Sequence, residues 1–244
     1  MGAQPMPVHP AHQLTATALE LAQPQPDPAA HLLQACLQIC RVLGAAAACG
    51  LLAPHAARPA VTAGTTPHAH HLAKADLKTQ RGPASDCLRA QHHQPAAHLD
   101  HPLARLRWPT WSRRAQEHGF TAATGLVLHH RGAGLGAITV LSAEPQPPDP
   151  VQRAAAELLA QAAAAGLHAQ QQLHAALERC RQLEGALSSR VLIEQAKGIV
   201  AERLRITPDA AFLLLRGHAR SRRQPLRELA HSIIAGTPFP ASPA

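Results

Sequence analysis

The sequence predicts an α+β protein in three parts: an N-terminal antiparallel sheet with helices, a long linking helix and a C-terminal bundle of three helices. Two β-prone runs, residues 125–130 and 135–141, flank the Gly-containing segment 131–134, a pattern typical of a β-hairpin. No proline occurs from residue 151 to residue 206, and this stretch is rich in Ala, Leu, Gln, Glu and Arg, which favour helix. Helices followed by a hairpin and a long exit helix indicate an α+β domain.

The elements before the hairpin follow from local patterns. Residues 14–22 and 29–43 are predicted to be helical, and residues 45–52 and 58–64 are predicted strands. A further helix is predicted over residues 108–118. The proline-rich segment 145–150 ends this part of the chain, because neither a helix nor a central strand can cross it.

The long helix is predicted to begin near Pro150 and to carry an apolar seam. The seam consists of residues at spacings of three, four or seven: Leu173, Leu177, Cys180, Leu187 and Val191. Glu184 and Glu194 interrupt it, so it predicts a short or imperfect coiled coil. Two interpretations stay open: the helix docks on its own domain, or it forms the stalk of a homodimer.

Two shorter helices are predicted after the long one. Thr207 is suited to cap the first of them, Pro208 to occupy its first position and Asp209 to complement its dipole. This helix runs over residues 208–221, and Pro225 is predicted to start the third helix. The apolar faces of the two helices are Phe212, Leu215 and Ala219, and Leu226, Leu229, Ala230, Ile233 and Ile234.

The composition indicates the cellular compartment and the state of the cysteines. No apolar run approaches the ~20 residues that span a bilayer, and the N-terminus has no basic stretch before an apolar core, so we expect a cytoplasmic protein without a membrane partner. The five cysteines show no zinc-knuckle spacing and predict reduced, mostly buried thiols.

The sequence predicts no enzyme and no cofactor. It contains no Gly-x-Ser-x-Gly elbow, phosphate loop or dinucleotide fingerprint. His68, His70 and His71 cluster in a segment interpreted as a loop, as do His92 and His93. Without helical pairing of these side chains a metal site is not predicted.

Positive charge is concentrated at the C-terminus. Residues 188–244 hold nine basic and four acidic residues, whereas residues 1–150 hold eleven and eight. Such a concentrated excess is what phosphate binding requires. The basic residues are Arg190, Lys197, Arg203, Arg205, Arg216, Arg220, Arg222, Arg223 and Arg227. Gly198 follows Lys197 inside the long helix, where glycine lowers helix stability by about 1 kcal/mol relative to alanine. The use of glycine at this position therefore indicates tight packing against a neighbouring helix, or else close approach of RNA.

The C-terminal residues resemble an ANTAR domain. The resemblance rests on Ser189-Arg190, on Ala196-Lys197-Gly198, on Ala211-Phe212 with Leu215-Arg216, and on Leu226 to Ala230. It implies a three-helix antiterminator that binds paired RNA hairpins and blocks terminator formation. Ala196, Lys197 and Gly198 match the family's surface motif, and Arg216 and Ala219 match its second helix. Pro225 stands where the family has a basic residue.

The N-terminal two-thirds of the chain resemble a GAF domain. The residues that carry this resemblance are Arg81-Gly82-Pro83-Ala84-Ser85-Asp86, Trp108-Pro109-Thr110-Trp111 and Leu135-Gly136-Ala137-Ile138. The resemblance implies a domain that senses a small molecule or mediates dimerisation.

Together these patterns predict a GAF-like domain over residues 14–167, a helical linker over 168–187 and an ANTAR-like domain over 188–236. The expected function is transcription antitermination through binding of tandem hairpins in nascent RNA, controlled by the GAF-like domain. The predicted RNA-binding residues are Ala196, Lys197, Gly198, Arg216, Ala219, Arg220, Arg222, Arg223 and Arg227. A protein-interaction module that does not bind RNA and a DNA-binding regulator are the alternatives.

Overall fold

A computed structural model describes residues 10–54, 59–144 and 149–239. The chain divides into two compact units, Met1–Leu173 and His174–Ala244, which we call unit 1 and unit 2. The predicted boundary segment at 145–148 and the start of the predicted strand 58–64 lie outside the described residues.

Unit 1 contains a five-stranded sheet in which every neighbouring pair is antiparallel. The strand order is β2-β1-β5-β4-β3. The strands are β1 (Ala47–Leu52), β2 (Val61–Gly64), β3 (Gln94–His98), β4 (Ala122–His130) and β5 (Ala133–Ser142). The predicted hairpin is confirmed, since β4 pairs with β5 and Leu126 lies opposite Ile138.

Helices cover both faces of this sheet. Helices α1 (Pro10–Ala22) and α2 (Pro28–Leu43) and the first turns of α7 (Pro150–Leu204) share one core with Ile138 and Val140 of β5. The other face packs against α3 (Pro67–Thr79), α4 (Pro83–Ala90), α5 (Pro102–Arg107) and α6 (Pro109–Glu117). Because successive strand residues point to opposite faces, Ala137 and Leu141 of β5 belong to this second side.

Four elements of unit 1 have no counterpart in the sequence prediction: α3, α4, β3 and α5. The histidines His68, His70 and His71 lie in α3, so their assignment to a loop is wrong. The ring of His68 stacks on that of His118 at 4.0 Å, and His70 Nε2 lies 3.2 Å from Thr62 Oγ1. Among the described residues, no three His, Cys, Asp or Glu side chains are placed to hold a metal ion.

The α3–α4 corner depends on a buried carboxylate. Asp76, only 1% exposed, accepts hydrogen bonds from the backbone N–H groups of Ala84 and Ser85 at 3.0 and 3.3 Å and from Ser85 Oγ. It therefore caps the first turn of α4 from outside that helix. A Cβ on Gly82 would lie 2.4 Å from the Asp76 carboxylate, so the Gly-Pro sequence at 82–83 fits this close approach. Burial raises the pKa of Asp76, while the bonds from Ser85 and Ala84 act in the opposite direction.

Unit 2 is a bundle of the last part of α7 with α8 (Pro208–Ser221) and α9 (Leu226–Ile234). Thr207 Oγ1 accepts the N–H of Ala210 at 3.3 Å, which confirms the predicted cap. The third helix begins one residue later than predicted, because Pro225 occupies its cap position with extended ψ. The core consists of Ala196, Val200, Ala211, Leu215, Ala219, Leu229, Ala230 and Ile233.

Within the described part of the chain, no helix is long and apolar enough to cross a bilayer.

We predict that Asp76→Ala lowers the free energy of unfolding by about 2–4 kcal/mol, because three buried donors lose their acceptor. The matched control is Asp27→Ala, which removes the exposed cap of α2 and should cost only about 1 kcal/mol. Urea denaturation of the two variants measures both values. Equal losses would show that the buried cap has no special weight in the fold.

Candidate nucleic-acid interface

The predicted site residues of unit 2 divide into core and surface. Ala196 and Ala219 are buried, at 0% and 6% exposure, and their side chains pack in the core of the bundle. Gly198, Arg216 and Arg220 are exposed, as are Arg222, Arg223 and Arg227, and Lys197 is half-buried. The alanines therefore shape the bundle, and the cations and the glycine form its outer surface.

Lys197 is the most constrained cation of the unit. Its side chain is 19% exposed, and its Nζ lies 2.5 Å from a carboxylate oxygen of Glu194, three residues earlier in α7. Burial of the stem fixes the position of the ammonium group. The ion pair with Glu194 means that an incoming phosphate has to compete with a carboxylate for this lysine.

Five arginines lie on α8, the turn after it and the start of α9. Arg216 and Arg220 are four residues apart and share the exposed face of α8, opposite the buried Ala211 and Leu215. Arg222 and Arg223 form the turn, and Arg227 lies in the first turn of α9.

None of these five side chains forms an ion pair or a hydrogen bond with another described residue. The eight arginines of residues 188–239 are all solvent-exposed. The ion pair that the structure gives within residues 188–239 is that of Lys197 with Glu194. The guanidinium groups therefore keep their donors available for an external anion.

Two helix ends place arginine in a left-handed backbone conformation. Arg205, after α7, has φ +53°, and Arg223, after α8, has φ +51°. In both cases the next residue bonds back to the helix, Ile206 N to Ala201 O and Gln224 N to Ala219 O. Glycine is the residue favoured at such a position, so arginine there costs stability. A cation at a helix C-terminus complements the dipole and offsets part of this cost.

The mid-helix glycines of unit 2 face open space. A Cβ built on Gly198 or on Gly217 meets no atom within 4 Å, and the same holds for Gly185. The expectation that Gly198 permits tight packing against a neighbouring helix is therefore wrong for the described residues. Gly198 leaves a flat patch of backbone beside Lys197.

Gly217 and Leu213 are surface features that the sequence prediction did not include. Gly217 lies directly beside Arg216, and Leu213 is 69% exposed on the same face as Arg216 and Arg220. The spacing of 213, 216, 217 and 220, all on one helical face, was the signal that could have identified them. The face therefore combines two cations with an apolar side chain and a flat stretch of backbone.

The fold and this surface define a two-unit protein, in which an α+β unit is followed by a basic three-helix unit. The family model of the ANTAR domain matches residues 181–234. The chain therefore contains an ANTAR domain, as predicted from its motifs.

The structure is similar to that of a bacteriophytochrome from R. palustris, with 14% sequence identity, a TM-score of 0.50 and coverage of 78% of this chain. The chain spans only 44% of the length of that bacteriophytochrome. A GAF domain of an Acinetobacter phosphoenolpyruvate-protein phosphotransferase has 12% identity and a TM-score of 0.45, covering 65% of this chain and 92% of its own.

A GAF domain of a putative sensor histidine kinase from Pseudomonas syringae pv. tomato has 19% identity and a TM-score of 0.45, with 69% and 92% coverage. These likenesses concern the fold alone. No curated protein matches the sequence significantly. The predicted fold class is confirmed by the antiparallel sheet with its helices, the long helix and the three-helix bundle.

We predict that Gly198→Ala and Gly217→Ala each raise the free energy of unfolding, by up to about 1 kcal/mol. Alanine favours helix more than glycine does, and the space above both positions is open. Gly185→Ala is the matched control, since it lies in α7 with equally open space and should give a similar gain. Thermal and urea unfolding measure the change. A loss of stability at 198 or 217 would reveal a close neighbour at that position.

Proposed function

We propose that this chain is an RNA-binding regulator of transcription antitermination, whose ANTAR domain binds tandem hairpins in nascent transcripts. The observation that supports the proposal best is the set of exposed, unpaired arginines within the matched domain. Arginine offers forked donors to phosphate oxygens and a flat face to unstacked bases.

Two surfaces of unit 2 suit this role. On α7, the absence of a side chain at Gly198 lets the phosphodiester backbone of RNA come close to the ammonium group of Lys197. On α8, Arg216 and Arg220 flank Gly217 in the same way. Because Phe212 is half-buried and Tyr is absent, stacking on aromatic side chains is a minor contribution here, and phosphate contacts and arginine dominate.

We propose that unit 1 acts as the input of the regulator, in the manner of a GAF-like sensor that binds a small molecule. We propose that the protein is cytoplasmic, because its targets are transcripts during their synthesis. We propose further that it acts by binding and not as an enzyme. The predicted alternatives, a DNA-binding regulator and a signalling module that does not bind RNA, are outcomes of the tests below.

We predict that Lys197→Ala weakens binding of a two-hairpin RNA without unfolding the bundle. Loss of one phosphate contact should reduce the slope of log K against log salt by about 0.7–0.9. The matched control is Glu194→Gln, which breaks the same ion pair but keeps the ammonium group and should bind RNA at least as well as the wild type. Filter binding at several salt concentrations gives both quantities.

Unchanged affinity and slope in Lys197→Ala would remove this lysine from the interface. Equal weakening in Glu194→Gln would show that the ion pair acts through the stability of α7 and not through RNA. Stronger binding of duplex DNA than of hairpin RNA in competition would favour a DNA-binding regulator, and binding of neither would favour a protein-interaction module.

We also propose that α7 dimerises the protein. The seam residues Leu173, Leu177, Leu187 and Val191 are 51%, 45%, 65% and 48% exposed, so they are not buried within the described chain. With Cys180, and with Glu184 and Glu194 as polar interruptions, they follow the alternating three- and four-residue spacing of a coiled coil. A second copy of this helix is the partner that matches such a spacing. Two ANTAR domains in one dimer would raise the effective concentration for a second hairpin.

We predict that the double change Leu173→Asp with Leu177→Asp weakens dimerisation by roughly a hundredfold or more, since each buried leucine contributes about 1.5–3 kcal/mol. Leu183→Asp is the control: Leu183 is 70% exposed but lies outside the seam, so this change should leave assembly intact. Analytical ultracentrifugation with and without two-hairpin RNA measures the association. A wild-type monomer in both conditions would refute the dimer.

A further inference from the structure

Unit 1 contains an open groove of about 860 Å³ at the corner of α3, α4 and α5. Its walls come from the residues that follow α3, from the outer face of α4 and from the last turn of α5. Charged side chains dominate the lining: Arg81, Asp86, Arg89 and Arg107. The groove lies wholly within unit 1.

A single carboxylate positions two of the arginines. Asp86, whose side chain is 11% exposed, accepts hydrogen bonds from Arg89 Nη1 and, at 3.1 and 2.8 Å, from Arg107 Nε and Nη2. The indole N–H of Trp108 donates to the same carboxylate at 2.8 Å. Arg107 also lies over the Trp108 ring, with its guanidinium carbon 5.2 Å from the ring centre. Both guanidinium groups are thus held in place before any ligand arrives, which lowers the entropy cost of binding.

The charges of the groove do not balance. Three guanidinium groups face one carboxylate, which leaves an excess of two positive charges. Donors also remain unused: Nη1 of Arg107 has no partner among the described residues, nor does any side-chain nitrogen of Arg81. Arg89 and Arg107 form ion pairs with Asp86 and can stabilise the fold in this way. Arg81 forms no ion pair with a described residue, so stabilisation of the fold does not explain its place in the groove.

We propose that this groove binds a phosphate monoester of a small organic molecule. A phosphate monoester carries about −1.5 to −2 charge at neutral pH, which matches the excess, and its three oxygens suit the forked donors of arginine. The groove is larger than a phosphate group and has an apolar wall at Leu106, which is 76% exposed, so it has room for an organic body. The proposal rests on the sensor role proposed for unit 1, whose ligand class it names, and it does not depend on RNA binding by unit 2.

The test is calorimetric titration of the full chain with four probes: inorganic phosphate, glucose 6-phosphate, adenosine 5′-monophosphate and succinate. We expect at least one phosphate monoester to bind more tightly than inorganic phosphate and succinate. Arg81→Gln should weaken that binding roughly tenfold, the loss of one charge-assisted contact. Because the Arg81 side chain has no partner in the described fold, this variant should unfold at the wild-type temperature.

Arg41→Gln is the matched control, since it removes one exposed charge from unit 1 at the end of α2, away from the groove. It should bind the phosphate monoester as the wild type does. Equal weakening in both variants would reduce the effect to net charge and overturn the proposal. Succinate that binds as tightly as the phosphate monoesters would overturn the assignment of the ligand, and the absence of binding by all probes would leave the arginines as an ion-pair network of the fold. None of these results depends on whether RNA binds unit 2.

Discussion

One core of unit 1 and the core of unit 2 depend on close packing of small side chains along α7. In unit 1 the residues Ala160, Ala163 and Ala164 are fully buried against α1, α2 and the sheet. In unit 2 Ala196 and Val200 pack in the same way against residues of α8 and α9. With aromatics at only 2% of the chain, aromatic side chains fill little of the interior, so the helices have to approach closely. A proline or a bulky polar residue at one of these positions would therefore disturb a whole core and not one contact.

The long helix, the hairpin and the two C-terminal helices could be predicted because their signals are local. Caps such as Thr207 and the absence of proline from 151 to 206 act within one or two turns of chain. The contacts that hold the region of α3 to α5 together, such as Asp76 of α3 with the start of α4, join different elements and are not visible in the sequence. The starts of these three helices nevertheless carry a local signal, which was used for α7 and α8 but not here: eight of the nine helices in the described part of the chain begin at a proline, among them Pro67, Pro83 and Pro102.

The candidate site, too, could be predicted from the sequence only in part. The cations of unit 2 are visible in the sequence, and their helical spacing places Arg216 and Arg220 on one face. What surrounds them is not visible. The sequence favoured tight packing at Gly198, yet the structure leaves that position open, and Ala196 and Ala219 are core residues although they belong to the motif. Motif membership alone does not distinguish a side chain that holds the surface in place from one that forms it.

The two units use arginine in opposite ways, and the difference lies in where carboxylates are placed. In unit 1, Asp86 is nearly buried and gathers Arg89, Arg107 and the Trp108 indole around one point. Such a centre fixes a few donors in defined directions, which suits a small ligand of defined shape. In the part of unit 2 from residue 188 to residue 239 the acidic residues are few, and the eight exposed arginines form no ion pair with another described residue. Unpaired cations spread over a surface suit a long polyanion, because binding then comes from many weak, salt-sensitive contacts and not from one fixed pocket.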